Sequence, residues 1–180
     1  GIMRVEYINP FVETSYKVLK EVLGGIDVKR GDLYLKSTAM PVMGVAAFVG
    51  LAGDVEGRVL FDMTIDTALK IASTMNMEQL TTFDDLAKAT ITELANLITA
   101  QAVTKLHDLG FRFDLTPPAL FTEKKIIFNK KLKKKIFFLK KSLKNMGKEQ
   151  IQTVIFWIKN WKKTGKKVKI MKFYEFFYIF

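Results

Sequence analysis

TFDDLAKATITELANLITAQAVTKLHDLG, residues 82–110, decides the fold. From Thr82 or Asp84 to Leu109 it contains neither glycine nor proline, and Gly110 stops it. At 1.5 Å per residue, some 26 residues make a helix about 40 Å long. Ala87, Ile91, Leu94, Ile98, Ala102 and Leu106 recur every three or four positions. They form an apolar stripe that must face a core. Asp84-Asp85 at the start suits an N-terminal cap and the helix dipole, and His107 near the end suits the opposite pole.

Shorter elements precede this helix. Asn9-Pro10 is a helix start, with Asn9 as N-cap and Pro10 at the first helical position. Phe11, Val12, Tyr16, Leu19, Val22 and Leu23 follow at helical spacing, and Gly24-Gly25 ends the run. Asp27 to Lys36 alternates as a strand. The apolar runs Val42–Leu51 and Val59–Met63, separated by Gly53-Asp54 and Gly57, predict a β-hairpin. Gly50-Leu51-Ala52-Gly53 lacks the downstream pattern of a phosphate loop and reads as a turn. Thr64 or Asp66 caps a short helix through Met75. Met40, Met43, Met63 and Met75 read as core fillers. After the long helix, Phe111–Leu115 is a short strand that Thr116-Pro117-Pro118 ends as an extended loop. The expected fold is α+β, an α/β sandwich in which the long helices Asn9–Leu23 and Thr82–Leu109 pack on an antiparallel sheet.

Charge divides the 180 residues in two. Residues 1–123 carry 11 Lys and Arg against 16 Asp and Glu, a net of −5. Residues 124–180 carry 18 Lys and 2 Glu, a net of +16, and contain no Ala, Asp, Pro, Arg or His. The net charge of +11 is therefore a property of the tail. Two β-like runs stand in it, Ile136–Leu139 and Ile151–Ile158, separated by Asn145-Met146-Gly147. Val168–Phe180 is rich in aromatics, too short and too charged for a membrane span. One reading makes the tail a basic patch for nucleic acid or a membrane surface, but eighteen lysines without an arginine disfavour it. A second makes it a divergent terminal hairpin that completes the sheet, plus an extension. A third is a shifted reading frame, since Lys, Phe, Ile and Asn share A/T-rich codons.

Composition also excludes chemistries. The chain has no cysteine, so disulfides, thiol nucleophiles and cysteine-ligated zinc are ruled out. A single histidine, His107, leaves no His-rich metal site. Gly1-Ile2-Met3 is neither basic nor followed by an apolar core, so no signal peptide is expected at this start. A cytoplasmic setting is the expectation.

Within the long helix, Glu93 and Asn96 are three apart, so about 60° separates them on one face. Ala89 and Ala100 fall on that face and are small enough to leave the carboxylate and carboxamide accessible. An acid and an amide on a rigid, half-buried helix form a preorganised pair; the same spacing also occurs on plain solvated helix faces.

The segment around Thr90-Ile91-Thr92-Glu93-Leu94-Ala95-Asn96-Leu97 resembles the Glu-x-x-Asn signature of the CheC/CheX/FliY family of chemotaxis phosphatases. Pro117 and Pro118 fill the region where that family has a proline. The resemblance covers roughly residues 3–122 and looks closer to CheX than to CheC, because one Glu-x-x-Asn site is present. Ala89 departs from the Asp or Ser that the family often carries four residues before the Glu. The resemblance implies a hydrolase acting on the aspartyl phosphate of the response regulator CheY. In it Asn96 orients the water, and Glu93 docks to the regulator's active-site lysine. It also implies no cofactor of this chain's own, Mg²⁺ on the partner regulator, and a homodimer joined through its sheets. A non-catalytic docking module of the chemotaxis or flagellar switch apparatus is the alternative.

Overall fold

The computed structural model describes residues 5–24, 26–36, 44–53, 56–122, 149–158 and 171–179. In chain order these form α1 (Val5–Leu23), β1 (Val28–Lys36), β2 (Val45–Gly53), β3 (Glu56–Met63), α2 (Ile65–Asn76), α3 (Asp85–Asp108), β4 (Phe113–Leu115), β5 (Ala119–Thr122), β6 (Glu149–Ile158) and β7 (Met171–Ile179). The strands make one sheet in the order β1-β7-β6-β3-β2-β4, with β5 also paired to β2. Every pairing is antiparallel.

The fold is α+β, as the periodicity indicates. The hairpin β2–β3 pairs Val45 with Met63 through Leu51 with Gly57. Its residues alternate with period two. Val45, Ala47, Val49 and Leu51 of β2, with Val59, Phe61 and Met63 of β3, enter the core. Against them pack Ile8, Phe11, Leu19 and Leu23 of α1, Ile71 of α2, and Ile91, Leu94, Ile98 and Leu106 of α3. Met63 is fully buried and Met75 packs against the core, as fillers should; Met40 and Met43 lie outside the described residues.

Four details differ from the sequence reading. First, α1 begins at Val5, with Pro10 inside it rather than at its first position. Proline supplies no N–H to the carbonyl four residues upstream. Burial of Ile8 and Phe11, both fully enclosed, holds the extra turn against that loss. Second, Gly50–Gly53 is strand, not turn. These glycines admit a close neighbour: a Cβ on Gly50 would stand 2.8 Å from Thr116 Oγ1, and one on Gly53 would run into the Arg112 carbonyl. Third, a strand, β5, follows the two prolines. Leu51 faces Leu115 and Phe48 faces Ala119, so β4 and β5 are one edge strand interrupted by Thr116-Pro117-Pro118. Thr116 spans the interruption: its N–H donates to the Gly50 carbonyl (2.9 Å), and its Oγ1 accepts from the Gly50 N–H (2.8 Å). Prolines without N–H groups are tolerated there because the other side of the strand needs no donor. Fourth, the run Ile151–Ile158 belongs to β6, whose hairpin partner is β7, in the aromatic stretch. Ile136–Leu139 and Asn145–Gly147 lie outside the described residues. β6 also pairs with β3, and β7 with β1, so both strands sit inside the sheet.

Candidate active site

α3 carries Glu93 and Asn96, and both of its ends are fixed locally. Asp84 is the N-cap, its carboxylate accepting from the Ala87 N–H at 3.0 Å, and Asp85 stands in the first turn. At the other end, Gly110 N–H donates to the His107 carbonyl and Phe111 N–H to that of Leu106, each at 2.9 Å. This motif needs a left-handed residue, and Gly110 supplies it at φ +91°. The Nε2 of His107 lies within 3.2 Å of both the N–H and the carbonyl of Phe113, so it pins β4 beneath the helix end. Sequence alone suggested only a dipole partner there. A surface hollow of about 640 Å³ lined by His107, Gly110, Arg112, Phe113 and Asp114 adjoins it.

The buried side of α3 comprises Ala87, Ile91, Leu94, Ala95, Ile98, Ala102 and Leu106. Opposite them lie Leu86, Ala89, Glu93, Asn96 and Ala100, all exposed. Helix α3 thus places Glu93 and Asn96 together on its outer face, between two alanines that overhang neither. Among the described residues, neither side chain has a hydrogen-bond or ion-pair partner. A carboxylate and a carboxamide on the convex side of a helix are poorly placed to enclose a small molecule. They are well placed to enter a concavity in another macromolecule. Among the described residues no cluster of three or more His, Asp or Glu could hold a metal ion, and no helix is long and apolar enough to cross a membrane.

Threonines sit unusually often along this helix, and each hydroxyl has an outlet. Thr90, Thr92, Thr99 and Thr104 donate to the carbonyls of Leu86, Lys88, Ala95 and Ala100, four residues back, at 2.6–3.0 Å. Thr90, only 8% exposed, also accepts from Asn76 Nδ2 of α2 at 2.8 Å. Lys105 pairs with Glu13 of α1 at 3.3 Å, on the surface. The sequence reading passed over Asn76 and Thr90. A polar residue beside Ile91, on the buried side of an apolar stripe, was the available signal.

Residues 45–141 match the family described as chemotaxis phosphatase CheX, a match that runs past the compositional break at Glu123. The CheY-P phosphatase CheX of Thermotoga maritima is 31% identical over 120 residues, covering 66% of this chain and 76% of that protein. A solved CheX from Borrelia burgdorferi, in complex with CheY, BeF₃ and Mg²⁺, is 32% identical, with a TM-score of 0.61 over 97% of this chain and 99% of that one. A CheX from Vibrio vulnificus shares the fold at 18% identity, with a TM-score of 0.63 over 96% of this chain and 99% of its own. In both sequence and fold, this chain belongs to the CheX family of chemotaxis phosphatases.

Proposed function

We propose that this protein hydrolyses the aspartyl phosphate of a CheY-type response regulator, with Asn96 orienting the attacking water and Glu93 docking to the regulator's active-site lysine. One observation carries the reading: a carboxylate and a carboxamide, each without a partner among the described residues, share the outer face of a helix anchored along its other side. The B. burgdorferi relative was solved with CheY and BeF₃, a group with the shape and charge of a phosphoryl.

The chemistry follows from the side chains. Hydrolysis needs a water in line with the phosphorus–oxygen bond to the aspartate. The Asn96 carbonyl accepts from that water while its NH₂ donates to a phosphoryl oxygen, and neither act requires a change of charge. The water oxygen bonds to phosphorus, the bond to the aspartate oxygen breaks, and the water proton leaves on inorganic phosphate. The regulator keeps its carboxylate. Mg²⁺ held by the regulator offsets the phosphoryl charge, so this chain supplies no metal ligand. Glu93, charged and on the same face, pairs with the lysine and sets the angle of approach.

A homodimer formed by sheet joining belongs to the same reading. Among the described residues β1 pairs only with β7, so its other side is an edge able to accept a second copy. The catalytic proposal is tested by following phosphate loss from phosphorylated regulator with and without the protein. Acceleration at substoichiometric protein supports it. Binding without acceleration would assign the chain to the docking-module alternative instead.

A further inference from the structure

Among the described residues, Glu93 and Asn96 have no side-chain partners, so their approach angle depends on what holds the second and third turns of α3. Packing on β2 and α1 secures the inner side. On the flank toward α2, a hydrogen-bonded chain does so. Asn76 Nδ2 donates one hydrogen to the Ala72 carbonyl (2.7 Å) and the other to Thr90 Oγ1 (2.8 Å). Thr90 passes its own hydrogen to the Leu86 carbonyl (2.8 Å). A carbonyl can only accept, so the Ala72 contact fixes which end of the amide faces it. Each donor in the chain is used, with Thr90 8% exposed and Asn76 partly buried.

The end of α2 is itself held firmly. Met77, 94% exposed, follows Asn76 at φ 51°, a left-handed conformation that is unfavourable for a non-glycine residue. Surrounding bonds enforce it. Met77 N–H donates to Thr74 (3.3 Å), Glu78 N–H to the Ser73 carbonyl (3.1 Å), and Leu80 N–H to Ser73 Oγ (2.9 Å). Strain of this kind persists where the structure around it is over-determined. Asn76 is therefore a fixed post, and Thr90, three residues before Glu93, is tied to it.

We propose that Asn76 and Thr90 are positioning residues for the Glu93–Asn96 pair, bracing α3 against α2 so that both side chains meet the regulator in one geometry. The proposal rests on the phosphatase reading above. Neither residue touches substrate. Both act through the backbone of α3.

Full-length protein carrying Thr90→Val, Thr90→Ser or Asn76→Ala tests it by two readouts, amide hydrogen exchange and regulator dephosphorylation. Thr90→Val keeps the shape and removes the hydroxyl; Thr90→Ser keeps the hydroxyl. The expected result is about tenfold faster exchange at residues 90–96 in Thr90→Val and Asn76→Ala, with residues 98–106 unchanged. A displaced pair lowers kcat about tenfold and leaves KM within twofold. Thr90→Ser matches the wild type in both readouts. Unchanged exchange in Thr90→Val overturns the brace even if activity falls. Faster exchange with unchanged kcat overturns its positioning role, as does an equal loss in Thr90→Ser. An inactive wild type defeats the phosphatase reading instead, and this inference falls with it.

Discussion

Asn96 offers an acceptor and two donors on a group that does not titrate, whereas Glu93 offers only charge and acceptors. That difference separates their expected roles. Glu93→Gln keeps the shape and loses the charge, so docking to a lysine should weaken while an oriented water is undisturbed. Titrating phosphorylated regulator against this variant should show a half-saturating concentration raised about tenfold, an unchanged maximal rate, and less sensitivity to salt than the wild type. Another prediction concerns a residue far from the chemistry. Thr14 is fully buried on α1, and its hydroxyl has no hydrogen-bond partner among the described residues. A hydroxyl stripped of water without compensation is a cost, and valine has the same shape. Thr14→Val should therefore raise unfolding stability by about 1 kcal/mol, read as a higher urea midpoint at constant slope.

Among the elements, α3 must be both displayed and anchored. Ile98 lies on its buried side, 1% exposed, two residues beyond Asn96. Ile98→Ala should cost about 2–5 kcal/mol in denaturant unfolding, because the sheet beneath cannot collapse into the gap. The surface variant Asn96→Ala should cost far less. Most of this helix could be read from the chain: its apolar stripe, the Asp84 cap and the Gly110 stop all follow from local chemistry. The hairpin was as legible, through its two apolar runs and the turn residues between them. Pro10 misled because a local rule for helix starts competes with burial of Ile8 and Phe11, which no short window contains. β5 was invisible because its four residues follow two prolines and are strand only by virtue of β2 alongside. The Asn76–Thr90 bond joins residues fourteen apart and exists only once α2 and α3 cross. The Glu93–Asn96 spacing was plain, but spacing alone yields an exposed face; its proposed chemistry comes from the family.

At the level of the whole molecule, sequence composition and sheet topology divide the chain differently. Lysine content changes abruptly after Glu123, yet β6 and β7 insert between β3 and β1. Among the described residues, β1 without them has no neighbouring strand, and β3 loses one of its two. A chain ending at Glu123 should consequently lack a cooperative urea transition. A sharp transition at the full-length midpoint would show instead that the first 123 residues fold unaided. Any binding assay that deletes this region would confound loss of positive charge with loss of the sheet. The central claim, that Asn96 acts on the water while the rest of the face supplies docking, is best tested by measuring regulator binding and dephosphorylation together in Asn96→Ala. Binding should stay within twofold of wild type, with acceleration reduced about a hundredfold or more. Wild-type acceleration by Asn96→Ala would contradict it.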